Sequence, residues 1–157
     1  MTKEPVKKYN IIDQITADHA KILALIENIT VTFVMTAIVF IMLEKTGITH
    51  SFLIAGLLGG TIASFVFFLK KMYYNEAFSE AAIDKSVHFE LVERAILTSD
   101  YSKAKRCEYR PNKRMFSRFY HCQSELITIS DMKSHVKITG PFHKIKEIIE
   151  KLESPTL

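Results

Sequence analysis

The sequence predicts a membrane protein: an α-helical two-span transmembrane hairpin followed by a small cytoplasmic α+β domain of about four mostly antiparallel strands flanked by helices. Three observations carry that expectation. Residues 28–43 (NITVTFVMTAIVFIML) and 47–69 (GITHSFLIAGLLGGTIASFVFFL) hold no charged side chain, and only Glu44-Lys45 and a short polar turn lie near their junction. Beyond Lys103 the apolar period drops towards two, and the C-terminal stretch returns to a helical stripe. The chain then divides into a cytoplasmic amphipathic helix (1–27), the hairpin (28–70), connecting helices (71–100) and a ligand-binding α+β domain (101–157).

A hydrocarbon core about 30 Å thick needs roughly 17 to 25 apolar helical residues. The second span meets that length directly, and the first does so if Ala24 to Ile26 join it with Glu27 among the headgroups. Lipid offers no partner to a free backbone amide, so both spans are read as helices. The first begins too far into the chain for a removable signal peptide. Lys3, Lys7, Lys8 and Lys21 precede the spans, Lys70 and Lys71 follow them, and Lys45 lies between. This asymmetry places both termini in the cytoplasm. Gly56, Gly60 and Ser64, with Ala55, Gly59 and Ala63 beside them, give the second span two small-residue stripes of the kind that let helices approach closely. Packing against Thr32, Thr36 and Ala37 within one subunit and self-association are both open on these residues.

Residues 1–69 carry five basic and five acidic side chains, so the formal charge of +4 lies wholly in 70–157. Ahead of the spans, Ile11, Ile15, Ile22, Ile26 and Ile29 form a helical stripe that also takes in His19. After Lys71 the residues Tyr74, Phe78, Ala82, Phe89, Val92 and Ile96 continue a helical pattern that Lys85 interrupts, and Asp84 suits an N-cap there. In the soluble part, 105–110 and 114–122 are expected as strands joined at Pro111-Asn112. Residues 125–130 and 135–139 follow as further strands, with a polar turn at 131–133 between them. Cys107 and Cys122 are read as small strand residues rather than a disulfide in a reducing compartment. Gly140-Pro141 ends the last strand, and Ile145, Ile148, Ile149 and Leu152 mark a closing amphipathic helix that stops near Ser154-Pro155.

The candidate site is the stretch from Tyr101 to His121, with seven basic side chains against the single acid Glu108. Basic groups neutralise phosphates and aromatic faces stack on bases, which suits a nucleotide or single strand rather than a duplex. Lys105, Arg106, Arg110, Lys113, Arg114, Arg118, Tyr120 and His121 are the candidate ligand contacts. The same residues also suit contact with anionic lipid or a solvated surface. Gly140, His143 and Lys144 add a strand-to-helix corner whose free amides favour an anion. The spacing of cysteines and histidines matches no zinc pattern, and the sequence holds no Walker, nucleophile-elbow or dinucleotide motif. Neither an enzyme nor a cofactor or metal is expected.

In layout, with an N-terminal two-span hairpin, both ends inside and one small basic α+β domain, the chain resembles the small membrane effectors of type III CRISPR systems that are activated by cyclic tetra-adenylate. The resemblance implies a homo-oligomer in the bacterial inner membrane whose soluble domain binds the cyclic messenger while the hairpin acts on the host membrane in antiviral defence. A non-enzymatic membrane scaffold or exclusion protein that binds a protein partner is the alternative, and a phage-type holin is a further one.

Overall fold

The computed structural model describes residues 6–47, 53–84, 89–132 and 135–153. The expected turn beyond Gly47, Lys85, Lys133 and the stop at Ser154-Pro155 lie outside them. Strand β1 (Lys7–Lys8) and helix α1 (Ile11–Ala17) lead into α2 (His19–Lys45) and α3 (Leu53–Lys70), which ends in a π-helical turn, Lys71–Asn75. Strand β2 (Phe78–Asp84), α4 (Phe89–Leu97), β3 (Tyr101–Lys105), β4 (Glu108–Pro111), a 3₁₀ turn (Gln123–Glu125), β5 (Ile127–Asp131), β6 (His135–Pro141) and α5 (Phe142–Glu153) complete the chain.

Helices α2 and α3 are long and apolar enough to cross a membrane. Over 31–42 of α2 and 54–67 of α3 the exposed side chains are apolar around a wide arc of each helix: Val31, Phe33, Val34 and Val39 on α2, and Ile54, Leu58, Ile62 and Phe67 on α3. A helix apolar over so wide an arc has little solvent face. Gly47, with φ of 74°, caps α2 in the left-handed conformation that a Cβ disfavours. The two helices pack on each other. A Cβ at Gly56 would overlap the Phe40 ring, and one at Gly60 would meet Thr36 at 3.7 Å, whereas Gly59 has nothing within 4 Å. The Gly56 stripe therefore packs inside the subunit, and the Gly59 stripe does not.

Apart from the helix pair, the described residues form one antiparallel sheet of six strands in the order β1-β2-β6-β5-β4-β3, two more than the sequence predicts. One face carries Ala81, Tyr109, Ile127, Ile129, Val136 and Ile138 against Val92, Ala95 and Ile96 of α4 and Ile145 and Ile148 of α5. The opposite face has no helical layer among the described residues. The predicted strands at 125–130 and 135–139 and the closing helix are found close to their expected positions.

Four expectations are corrected. Residues 71–84 are not a connecting helix: a π turn gives way to β2, whose buried Ser79 and Ala81 alternate with Phe78, Glu80 and Ala82. Phe78 and Ala82 sit four apart, a spacing shared by periods of 3.6 and 2. The stretch 105–110 is broken by a turn at Arg106-Cys107, so the hairpin is β3-β4, with Pro111 paired to Tyr101 at the end of β4 rather than in a turn. Residues 114–122 form no strand. The isoleucine helix is cut at Asp18, whose φ of −144° is not helical; Gln14, Asp18 and Lys21 turn inwards while Ile11 and Ile26 stay exposed.

Candidate functional site

A groove of about 680 Å³ runs over the open face of the sheet. Its floor is Phe78 of β2, Thr128 of β5 and Glu108 and Arg110 of β4, with Lys105 at the end of β3. Gln14, Ala17 and Asp18 at the α1–α2 joint wall it on one side, and Arg114 and residues 121–126 wall it on another. Of the eleven predicted site residues it brings together four: Lys105, Arg110, Arg114 and His121.

The groove holds three basic and three acidic side chains, and their surroundings separate them. Asp18 and Glu125 are each 4 % exposed. The Asp18 carboxylate accepts from the Ser124 amide at 2.8 Å and the Ser124 hydroxyl at 2.7 Å. Glu125 accepts from the Met115 amide at 3.1 Å and the Phe116 amide at 2.6 Å. Burial raises the Glu125 carboxyl above its ordinary range, and those two amides pull it partly back. By contrast Lys105 and Arg110 are more than half exposed and lean loosely on Glu108, at 3.5 and 3.7 Å. The charge offered to a ligand is accordingly positive, with Glu108 as a removable tether. Arg114 donates to the Arg118 carbonyl and lies 3.1 Å from His121 Nε2.

The remaining predicted residues lie outside the groove. Arg106 occupies the β3–β4 turn, and Lys113, Arg118 and Tyr120 lie on the segment between β4 and the 3₁₀ turn. At Gly140 a Cβ would meet Ile127 Cγ1 at 2.9 Å and the Leu126 carbonyl at 3.2 Å, so this glycine serves close strand packing. The corner it begins is filled by protein: the Phe142 amide donates to the Ala77 carbonyl at 2.9 Å, and Lys144 pairs with Glu147 at 2.9 Å. His143 and Lys144 act electrostatically on Glu76, whose carboxyl burial raises.

Sequence reasoning missed the groups that organise the site. In the segment 112–122 side chains rather than a neighbouring strand take the amides of Met115, Phe116, Arg118, Phe119 and Tyr120. Ser117 donates its hydroxyl to Glu27, the Arg118 amide donates to Glu27 at 3.0 Å, and Asn28 donates to the Phe116 carbonyl at 2.6 Å. Ser117 Oγ accepts from the amides of Phe119 at 3.0 Å and Tyr120 at 2.7 Å. Phe116 and Cys122 are buried with Ala24, Leu25, Met72 and Tyr73 at the base of the helix pair. Burial pushes the Cys122 thiol up to about 12, so it remains a neutral packing group. Lys21 reaches 0 % exposure there, donating to Gln14 Oε1 at 3.1 Å and the Glu76 carbonyl at 3.2 Å beneath the rings of Tyr73 and Phe116. Gln14 also donates to the carbonyls of Tyr9 and Tyr73 and accepts from the Phe78 amide. The bonds from Glu27 and Asn28 to 116–118, and from Gln14 and Lys21 to 73–78, join residues more than 50 apart, a separation no local pattern reports.

Comparison with protein-family models, with curated proteins and with solved structures gave no match to this chain.

Proposed function

We propose that this protein is a non-enzymatic, membrane-anchored sensor whose groove binds an anionic nucleotide and whose helix pair responds to it. In this account α2 and α3 cross the cytoplasmic membrane with both termini inside, as the lysine asymmetry favours. The ligand class follows from exposed Lys105 and Arg110 over a groove whose 680 Å³ falls within the roughly 300 to 1,000 Å³ of small-molecule sites. Cyclic tetra-adenylate is the specific candidate, supplied by the resemblance in layout to type III CRISPR membrane effectors, and a homo-oligomer acting in antiviral defence comes with it.

The observation that carries the proposal is one shared segment. Residues 114 and 121–125 line the groove, while Phe116, Ser117 and Arg118 between them are fixed to Glu27 and Asn28 at the foot of α2. A ligand that moves Arg114 or His121 acts on the helix pair through a few bonds. Helix α4 lies on the far side of the sheet, so it is not the route; the path runs through 112–125. A ligand biases the helices only if it favours one arrangement of that segment over another.

The test is binding of cyclic tetra-adenylate, with other nucleotides alongside, to the full chain in detergent or liposomes. The isolated domain is unsuitable, because β1 and the bonds from Glu27 and Asn28 would be lost. Arg110→Ala should weaken binding by about 1 to 3 kcal/mol, the range for a charge-assisted hydrogen bond. Glu108→Gln should strengthen it by releasing both cations, and binding should fall steeply with salt. Indifference to both substitutions would remove the groove as the site and favour the scaffold alternative.

A further inference from the structure

We infer that residues 116–120 form an interfacial anchor that seats on an anionic bilayer surface. The inference rests on the membrane-spanning reading of α2 and α3 and deepens it by naming the lipid contact. Phe116 is buried in one cluster with Ala24 and Leu25 of α2, and Phe68 and Leu69 at the end of α3 pack against that cluster. The next two residues are tied to Glu27, and the Phe116 carbonyl to Asn28. Both helices thus fix the loop at one height, where the uncharged run of α2 begins and that of α3 ends. With the helices in a bilayer, that height is the headgroup layer.

The clamp leaves a defined group outside. Phe119 is 75 % exposed although its own amide and that of Tyr120 are held by Ser117 Oγ. A ring held outwards on a turn tied at both ends cannot fold back to bury itself. Around the same neck Ile26 and Tyr74 are exposed, at 54 % and 65 %. A single exposed apolar side chain is ordinary, but exposed aromatic and aliphatic groups near the ends of two apolar helices are what a membrane-interface belt uses. Arg118 on the loop, Lys70 at the end of α3 and Lys71 after it add positive charge near this level. Glu27 is already occupied by Ser117 and the Arg118 amide. A basic group near an anionic leaflet contributes about 1 kcal/mol, some fivefold in affinity. Arg118 and Tyr120, read from sequence as nucleotide contacts, become lipid contacts.

The chain has no tryptophan, so one substitution gives a clean fluorescent depth probe. Phe119→Trp in the full chain is reconstituted in phosphatidylglycerol-containing vesicles, with Tyr120→Trp in parallel against a folding defect in either. Phe33→Trp on α2 and Phe89→Trp on α4 are the deep and aqueous references. The expected result is blue-shifted emission at 119 or 120, quenched several-fold more by a nitroxide near the headgroup than by one deep in the acyl chain. Phe33→Trp should show the reverse preference and Phe89→Trp neither. Shallow quenching should weaken in phosphatidylcholine, and Arg118→Gln should remove most of that difference. Emission at 119 and 120 matching Phe89→Trp, with Phe33→Trp quenched deep, overturns the anchor and leaves the spans standing. Shallow quenching indifferent to headgroup charge overturns the anionic preference. Absence of quenching at Phe33→Trp overturns the spanning reading and the anchor with it.

Discussion

The two buried clusters of this molecule are held together by different chemistry. Under α4 and α5 the core is apolar and mainly aliphatic: Ile127, Ile138, Ile145, Ile148, Val92 and Ile96 are each fully buried, with Tyr101 and Tyr109 among them. At the foot of α2 and α3 the apolar cluster of Ala24, Leu25, Met72, Tyr73 and Phe116 is surrounded by buried Gln14, Asp18, Lys21, Ser124 and Glu125. Aliphatic burial is non-directional and changes little with small displacements, whereas a hydrogen-bonded joint is either made or broken. The first cluster keeps the domain folded. The second can hold the domain and the helix pair in discrete relations, which is the property a switch requires.

The largest difference between the clusters should come from deleting volume in the first. Ile138→Ala, at a fully buried site on the central strand β6, should cost about 2 to 5 kcal/mol. Denaturant unfolding should show the loss over the whole sheet. A cost confined to the loop at 112–122 would mean the clusters are not separable.

This division also decides what could be read from the sequence. The aliphatic core was legible because Val136 and Ile138, Ile127 and Ile129, and Ile145 and Ile148 repeat within their own elements. The helix pair was legible for the same reason, as an uninterrupted composition. The joint was not. Asp18, Glu27 and Glu125 look like ordinary surface acids, and only the fold brings them to amides about 90 to 106 residues away, or to a neighbouring loop. Of the predicted site, Lys105 and Arg110 on the β3–β4 hairpin and Arg114 and His121 on the segment after it lie in the groove, whereas Arg106 at the hairpin turn and Lys113 do not, because a run of basic residues marks the region and not the face each side chain takes. The alternation Phe116, Arg118, Tyr120 misled, since side-chain bonds rather than a strand hold that segment and send Phe116 inwards. Gly140 was recognised as special, but its role is contact with Ile127 and Leu126.

A smaller and more local effect is expected in the second cluster. Glu125→Ala leaves the buried amide of Phe116 and the partly buried amide of Met115 unpaired, at about 1 to 3 kcal/mol. Hydrogen exchange should quicken across residues 112–122 while β5 and β6 keep their protection. Because burial holds this carboxyl above 4.5, the folded state binds its proton more tightly than the unfolded chain. The stability difference between the native chain and Glu125→Gln should therefore fall as pH rises from 4.5 through the raised value. A difference that grows over that window would show the amides outweighing burial.

Leakage of an entrapped dye from liposomes carrying the full chain, with and without cyclic tetra-adenylate, tests most directly whether groove and helix pair act as one device. The account predicts leakage that rises with ligand, is reduced by Arg110→Ala through lost binding, and is uncoupled by Glu27→Ala, which cuts the tie to α2 from outside the groove and should still bind. Ligand binding with leakage unchanged in the native chain would contradict it.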